Sequence, residues 1–318
     1  MTPMDAVQPP ESPAAAWPRL NLDEWEQTYT ALHLRTQMVG KTRLALAPME
    51  NHWWQVAFYL TARGLGTSSM PCGGRTLDVE FDFLAHQLVL RTSDGEQRAL
   101  ALRAEPLAEF YRRYLAALRE LGVEVAIWPV SVEMPEAIPF LDQRQESPYD
   151  ADAAQRCWRA LAQADRLLKR FRGRFLGKCS PVHFWWGGFD LACTRFSGAP
   201  APQHPGGIPH LADWVTREAY SHACASAGWW PGTRGMLDMP AFYAYAYPEP
   251  AGYADAAVGP SAAYYHPVLR EWILPHDAVR AAPDPDAAVT DFLQSTYAAA
   301  ATLGSWDRRA LERAEARH

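Results

Sequence analysis

The feature that most constrains the fold of this chain is a weak internal repeat, because a duplicated unit sets the architecture of both halves. In the first half, a predicted helix is followed by Gly40-Lys41 and then by His52-Trp53-Trp54. In the second half, a predicted helix is followed by Gly177-Lys178 and then by His183-Phe184-Trp185-Trp186. Each match is weak alone, but the two landmarks occur in the same order.

A third landmark closes each half. Residues 109–122 and 291–304 have equal length, begin with an acid and Phe, share two Ala and a Leu, and end in Gly. Helix endings often look alike, so chance similarity is the alternative. From the three landmarks we predict an α+β fold with two diverged α-β-sheet-α repeats, whose antiparallel sheets are related by a pseudo-twofold axis.

The repeat divides the chain into two lobes. We expect a disordered N-terminal segment at 1–18, a first α+β lobe at 19–128, a Pro-rich linker at 129–150 and a second α+β lobe at 151–318. The second copy is longer than the first, and its excess falls mainly in an insertion at about 197–240. Function tends to reside in loops held by a rigid scaffold, so this asymmetry directs attention to the second lobe.

Composition excludes several classes of protein. A net charge of −6 disfavours a general nucleic-acid binder, which is usually basic. No apolar run approaches the roughly 18–20 residues that cross a bilayer, so we expect no membrane partner. The five cysteines include no C-x-x-C pair, which disfavours zinc ribbons and disulfide frameworks. Reduced thiols and the lack of a signal-peptide pattern predict a cytoplasmic protein.

A carboxylate and an imidazole are closely spaced within the insertion. Glu218 and His222 lie four positions apart in a predicted helix that has Asp213 as its N-cap and Gly228 after its end. Side chains at this spacing share one helical face. The alternative is that both side chains face solvent and have no functional role.

This pair suggests two kinds of chemistry. Glu218 could orient His222 as a general base, which makes the two residues our catalytic candidates. They could instead share one divalent metal ion with His183 or His204 as a further ligand. A buried structural histidine is the alternative for His183, and a plain surface turn is the alternative for His204.

Aromatic side chains cluster in the second lobe. Three tyrosines between Tyr243 and Tyr247 alternate with small residues, so they lie on one face of a predicted strand. Tyrosine and tryptophan combine flat apolar area with a polar tip, which suits a ligand pocket or an interface, and core filling is the alternative. The predicted substrate-binding residues are Tyr243, Tyr245, Tyr247, Glu249, Trp186 and Arg195.

Basic residues are concentrated at the end of the second predicted helix. Six of them lie between Arg166 and Lys178. A phosphate or RNA site is one interpretation, and a solvated helix face beside an acidic body is the other.

Four strings of the sequence are distinctive. They are HFWWGGFDL at 183–191, REAYSH at 217–222, FYAYAYPEP at 242–250, and Gly40-Lys41 followed by NHWW at 51–54. They resemble an uncharacterised bacterial family of full-length domain-of-unknown-function proteins, and the resemblance covers nearly all of the chain after Trp17. The family has no established activity, so the resemblance implies no catalytic residues.

The sequence therefore predicts a small-molecule enzyme with hydrolytic or proton-transfer chemistry, a His/carboxylate site and an aromatic pocket in the second lobe. The alternative is a non-catalytic ligand-binding or scaffold protein that uses its Trp and Tyr clusters. A small-molecule ligand is the expected partner, one divalent metal ion is the only cofactor suggested, and homo-oligomers are compatible with either interpretation.

Overall fold

The computed structural model of the protein describes residues 16–134 and 136–314. Most of the predicted disordered segment lies outside these residues, and Trp17 at its end is buried against Phe242 and His276. Helices and antiparallel sheets make up the described chain, which confirms the α+β class. Within these residues, no helix is long and apolar enough to cross a membrane.

The three longest helices begin after a residue whose side chain caps the helix. Asn21, Asp150 and Asp284 each accept a hydrogen bond from a backbone N–H in the first turn of the helix that follows. The helices are α1 (Leu22–Leu46), α2 (Leu107–Glu120), α3 (Ala151–Gly173), α4 (Asp213–Ala219), α5 (His276–Ala281), α6 (Pro285–Leu303) and α7 (Arg308–Leu311).

Helix α1 continues through Gly40-Lys41, so the prediction that the helix ends before these residues is wrong. Gly40 is required for packing, since a Cβ at this position would lie 2.3 Å from the indole of Trp186. Protein surrounds α1 over most of its length, and its buried side chains include many polar ones. These are Thr28, His33, Arg35, Thr36, Gln37, Lys41, Thr42 and Arg43.

The first sheet is an antiparallel meander against α2. Its strands are β1 (Tyr59–Leu60), β2 (Gly64–Gly66), β3 (Met70–Cys72), β4 (Arg75–Asp82), β5 (Gln87–Thr92) and β6 (Gln97–Ala101). The order is β1-β2-β4-β5-β6, and β3 pairs with β4. The turn between β5 and β6 contains Asp94-Gly95, and Gly95 adopts the positive φ that such turns need.

The predicted linker is packed against the first lobe. Strands β7 (Glu105–Pro106) and β8 (Glu146–Ser147) form a two-stranded sheet that ties its end to the start of α2. Phe140 is fully buried, with its ring centroid 5.4 Å from that of Tyr111. The segment therefore contributes to the core.

The second sheet is also antiparallel. Its strands are β9 (His183–Trp185), β10 (Asp190–Pro200), β11 (His222–Trp230), β12 (Ala241–Tyr247), β13 (Tyr264–His266) and β14 (Glu271–Pro275). The order is β13-β14-β12-β11-β10-β9. Strand β11 lies within the predicted insertion, between β10 and β12, so this part of the insertion belongs to the scaffold.

The predicted helix from Asp213 to Gly228 is wrong beyond Ala219. The sequence from His222 to Trp230 is rich in Ala and reads locally as helix-forming. Its small side chains instead fit a strand with neighbours on both sides, and pairing in the sheet overrides the local preference.

The two sheets meet at one antiparallel bridge. Phe58 and Phe184 exchange backbone hydrogen bonds of 2.9 and 2.8 Å. One face of the second sheet packs on α3 and α6, and alternation along the strands gives the opposite face a separate set of side chains. The candidate site lies on this opposite face.

Candidate functional site

The predicted Glu218–His222 pair does not share a helical face. Glu218 lies in the last turn of α4, whereas His222 is the first residue of β11. His222 Nδ1 lies 3.0 Å from Ser221 Oγ, and its ring is edge-on to His52. Across 16–134 and 136–314, no hydrogen bond or ion pair is formed by the Glu218 carboxylate. The helical argument for this catalytic pair therefore fails.

The four predicted metal ligands are not gathered at one point. His183 is buried in β9, with Nε2 3.4 Å from the Tyr59 hydroxyl. His204 stacks on Tyr220 at a centroid distance of 4.7 Å. In the part of the chain that the structure describes, no group of three or more His, Cys, Asp or Glu side chains is placed to hold a metal ion.

Two of the predicted substrate-binding residues lie away from the tyrosine face. Arg195 is fully buried beneath α3 and α6, where its guanidinium lies 3.4 Å from the ring centroid of Phe171 and 4.2 Å from that of Tyr297. Its position in β10 points it to the helix-covered face of the sheet. Trp186 packs against Gly40 of α1. Both side chains are therefore packed inside the protein, away from the tyrosine face.

Tyr247 and Glu249 lie at the outer end of the tyrosine strand. The Tyr247 hydroxyl donates to the carbonyl oxygen of Pro202 at 3.0 Å. The Glu249 carboxylate accepts hydrogen bonds from the Tyr265 hydroxyl at 2.8 Å and from Arg270 Nε at 3.1 Å. These hydrogen bonds hold Tyr247 and Glu249 in place at the outer end of the strand.

Tyr243 and Tyr245 are hydrogen-bonded to other polar side chains on the same face, and together these groups form a polar cluster. The Tyr243 hydroxyl donates a short hydrogen bond to Asp190 Oδ2. The hydroxyls of Tyr245 and Tyr220 lie 2.8 Å apart. Gly228, opposite Tyr243 in the sheet, leaves the space for this arrangement, since a Cβ there would lie 2.6 Å from the Tyr243 hydroxyl oxygen.

Three carboxyl groups with raised pKa values belong to this cluster. Burial raises the pKa of Asp190 to about 6, against the opposing effect of the Tyr243 hydrogen bond. Burial and then the charge of Asp190 raise the pKa of Glu133 to about 7. The same two causes raise the pKa of Glu271 to about 8. Asp190 is therefore the electrostatic centre of the cluster.

These carboxyl groups remain accessible to solvent. Asp190 and Glu271 are half-buried and Glu133 is exposed, although desolvation is the main cause of each raised pKa. Exposure and desolvation point in opposite directions for Glu133. Protein atoms around Glu133 desolvate its carboxylate although part of the residue is exposed, and this desolvation raises its pKa.

Helix α1 positions Glu133 through its buried amide. Gln37 Nε2 donates to the Val132 carbonyl at 2.8 Å, and Gln37 Oε1 accepts from the Val132 N–H at 2.8 Å. Glu133 itself has a positive φ of 58°. Its carboxylate fills the space beside Gly187, where a Cβ would lie 2.0 Å from Glu133 Oε1. A side chain at that position would displace the Glu133 carboxylate.

A second α1 side chain holds the turn before Asp190. His33 Nε2 lies 2.7 Å from the Gly187 carbonyl oxygen, so this nitrogen is the donor. Burial lowers the pKa of His33 to about 4, which keeps the ring neutral at pH 7. A Cβ at Gly188 would lie 2.9 Å from Asp190 Oδ1 and 3.8 Å from Glu133 Oε2, so both carboxylates border this glycine.

The side chains around the carboxyl cluster are aromatic and apolar. Ala192, Tyr243 and Ile273 form a buried cluster on this face. The partly buried side chains around it are Trp185, Trp230, Met239, Tyr245 and Leu269. A few polar groups within apolar walls are typical of small-molecule sites.

The sequence matches one known protein family. A model described as a family of unknown function, DUF5996, matches residues 17–313. The chain belongs to this family. The resemblance predicted from the sequence strings is confirmed, and no curated protein or solved structure shows a significant match.

The electrostatic environment of this DUF5996 chain leaves the three carboxyl groups without counter-charges. Over the described ranges, no Lys, Arg or His forms an ion pair with Glu133, Asp190 or Glu271. Groups with pKa values between about 6 and 8 exchange protons readily at neutral pH. The arrangement can therefore donate a proton to a bound molecule or remove one from it.

The tyrosine pattern located the strand, but sequence reasoning missed Glu133, Asp190 and Glu271 as site residues in this DUF5996 chain. Asp190 offered a usable signal, since it follows the Gly187-Gly188 turn and opens a strand. Glu133 offered none, because it lies in the predicted linker and is held at the site by distant contacts, namely the hydrogen bonds of Gln37 to Val132 and of its own N–H to Pro209.

Proposed function

We propose that this protein is a small-molecule enzyme whose acid–base chemistry is carried by Glu133, Asp190 and Glu271. The supporting observation is that three desolvated carboxyl groups lie near one another beside an aromatic face of the second sheet, with Asp190 raising the pKa of the other two. Catalytic acids and bases work best when their pKa lies near the working pH, and strongly perturbed pKa values cluster at functional sites.

The proposed roles follow from the order of the pKa values. Glu271, with a pKa of about 8, is mostly protonated at neutral pH and acts as a general acid, and Glu133, with a pKa of about 7, is half protonated there and acts as a second one. Asp190, with a pKa of about 6 and a hydrogen bond from Tyr243, is the group that is ionised first and acts as the base. Hydrolysis and proton transfer both need such a pair.

The surroundings support a substrate class. Unpaired carboxyl groups accept hydrogen bonds from hydroxyl or amine groups, and the aromatic walls suit a flat apolar surface. We therefore propose a small molecule that carries hydroxyl or amino groups. Glu218 and His222 remain the competing catalytic assignment.

A mass-spectrometric turnover assay tests the proposal. Purified protein is incubated with a defined mixture of small metabolites, and the depletion of each compound is followed over time. Asp190→Asn and Glu133→Gln should lower the rate of turnover by about 10²–10⁴-fold, the usual worth of a general acid or base. Glu218→Gln should retain it.

Two results would contradict this assignment. Loss of turnover in Glu218→Gln together with full activity in Asp190→Asn would move the chemistry to the other pair. A metabolite that binds without being consumed would support the alternative of a non-catalytic ligand-binding protein.

We further propose that the two halves descend from one helix–sheet–helix unit. Support comes from the element order, since α1, a meander and α2 are followed by α3, a second meander and α6. The histidine landmarks do not occupy equivalent positions in the two halves, because His52 lies in a 3₁₀ segment whereas His183 lies in β9. The antiparallel pairing of Phe58 with Phe184 suggests these two as equivalent positions.

A further inference from the structure

We propose that Cys179 and Cys193 are a redox-active pair of thiols that hydrogen peroxide converts to a reversible intramolecular disulfide. Both side chains pack with the core on the face of the second sheet that α3 and α6 cover. Asp190 precedes Cys193 by three positions in β10, so the carboxyl cluster lies on the opposite face. The inference therefore does not depend on the function proposed there.

The two sulfur atoms are in contact although the cysteines are 14 positions apart. Cys179 Sγ lies 3.5 Å from Cys193 Sγ, and both residues are free cysteines. An S–S bond is about 2.05 Å long, so the two sulfurs need to approach each other by only roughly 1.5 Å. Rotation of the side chains can supply a movement of this size.

The backbone of the second sheet holds the pair together. Cys179 is the partner of Arg195 in an antiparallel bridge. Next to this bridge, the Ser180 N–H donates to the Thr194 carbonyl at 2.8 Å, and the Thr194 N–H donates to Ser180 Oγ at 2.9 Å. Cys193 lies two positions before Arg195 in β10, so its side chain is on the same face and diagonal to Cys179. The contact between the sulfurs is therefore built into the fold.

The two thiols differ in their access to solvent and in their protonation. Cys179 is half-buried, whereas Cys193 is fully buried. The hydrogen bond from Cys193 and the charges of Arg195 and Arg172 lower the pKa of the Cys179 thiol, against the effect of burial. The same hydrogen bond and burial raise the pKa of Cys193, which keeps its proton. Because the thiolate is the nucleophile in thiol chemistry, Cys179 reacts first.

Two arginines surround the pair with positive charge. Arg195 is fully buried, its Nε has no hydrogen-bond partner, and its pKa, lowered by burial to about 10, leaves the guanidinium charged at pH 7. Arg172 Nε donates to the Ser180 carbonyl at 2.7 Å, and Cys193 Sγ lies 3.7 Å from the same oxygen. Neighbouring cations are typical of reactive cysteines, whereas buried cysteines in apolar surroundings are inert.

The proposed oxidation takes place in two steps. The Cys179 thiolate attacks one oxygen of hydrogen peroxide, the O–O bond breaks, and a sulfenic acid forms while hydroxide leaves and takes up a proton to give water. The Cys193 sulfur then attacks the Cys179 sulfur. The S–S bond forms, the S–O bond breaks, and the departing hydroxide takes the Cys193 proton to give a second water. Each sulfur loses one electron, and the peroxide is reduced by both.

Peptide mapping by mass spectrometry under non-reducing conditions tests the pair. The purified full chain is reduced, freed of reductant and treated with hydrogen peroxide, and the remaining thiols are alkylated after denaturation. The wild type should lose two of its five thiols and yield a linked Cys179–Cys193 peptide, and dithiothreitol should restore both thiols. Cys72→Ser is the matched control, because Cys72 is half-buried like Cys179 but lies in the first sheet, and it should form the same disulfide. Asp190→Asn should form it as well.

Two further variants test the order of the steps. Cys193→Ser lacks the second thiol, so the sulfenic acid should accumulate on Cys179 and be trapped there by dimedone. Cys179→Ser should give no linked peptide and no dimedone adduct on the buried Cys193. The wild-type map decides the main claim without any variant. A wild type that keeps all five thiols, links other cysteines, or carries sulfinic acid on Cys179 with no linked peptide would overturn the proposal.

Discussion

At the scale of single residues, the pocket carboxyls couple the stability of the protein to pH. A group whose pKa is higher in the folded state binds protons more tightly there, so it stabilises the fold below its unfolded pKa. That stabilisation is lost as the pH rises through the folded pKa. For Glu133 and Glu271 the loss extends to about 7 and about 8, respectively.

We therefore predict that the free energy of unfolding falls between pH 6.5 and 8.5. Buried His33 and His183 have lowered pKa values, so their effect on stability is confined to lower pH. The contribution of Glu271 to the fall should be on the order of 1 kcal/mol after allowance for its partial exposure. Urea unfolding of wild type and Glu271→Gln at several pH values measures it.

The matched control is Glu96→Gln, which removes a carboxylate from the exposed hairpin between β5 and β6. It should keep the wild-type dependence on pH, whereas Glu271→Gln should flatten it. Identical curves for wild type and Glu271→Gln would show that this carboxyl is not perturbed.

At the scale of elements, α1 carries two functions at once. It is the packing centre between the lobes, and its polar side chains hold the loop of Glu133 and the turn before Asp190. This explains why a helix in the interior carries so many polar groups, each of which needs a partner.

Gly40→Ala should destabilise the protein although alanine favours helices. The added Cβ would lie 2.3 Å from the Trp186 indole, and such overpacking costs about 1–3 kcal/mol. Gly173→Ala is the control, since this helical glycine has nothing within 4 Å of an added Cβ. It should be neutral or more stable by up to about 1 kcal/mol. Thermal unfolding of both variants measures the difference, and equal effects would contradict the packing of α1.

Elements with strong local patterns could be predicted from the sequence. The end of helix α2 follows from Gly122, and β12 follows from its alternating tyrosines. Gly40 and β11 could not be assigned, because a distant indole decides the first and two neighbouring strands decide the second. The carboxyl site needed the hydrogen bonds between Gln37 and the Val132 backbone, 95 positions apart in the chain, which no local pattern encodes.

At the scale of the whole molecule, the two sheets and α1 should unfold together. Phe58 and Phe184 are fully buried at the bridge between the sheets, with ring centroids 6.4 Å apart. The junction therefore shares one core with both lobes. This predicts a single cooperative transition.

Phe184→Ala should lower the free energy of unfolding by about 3–5 kcal/mol, as expected for a buried phenylalanine. Circular dichroism and tryptophan fluorescence should report the same midpoint in urea. Val268→Ala, at a residue that is 84% exposed, should leave the midpoint unchanged. Two separate transitions would show that the lobes are independent.

The central claim is that desolvation raises the pKa values of the three clustered carboxyls towards neutral pH, and ¹³C NMR titration of the side-chain carboxyl groups tests it most directly. Single variants Glu133→Gln, Asp190→Asn and Glu271→Gln assign the signals by their disappearance. The account predicts three signals that titrate at about 7, about 6 and about 8, respectively. Titration of all three below pH 5 would contradict it.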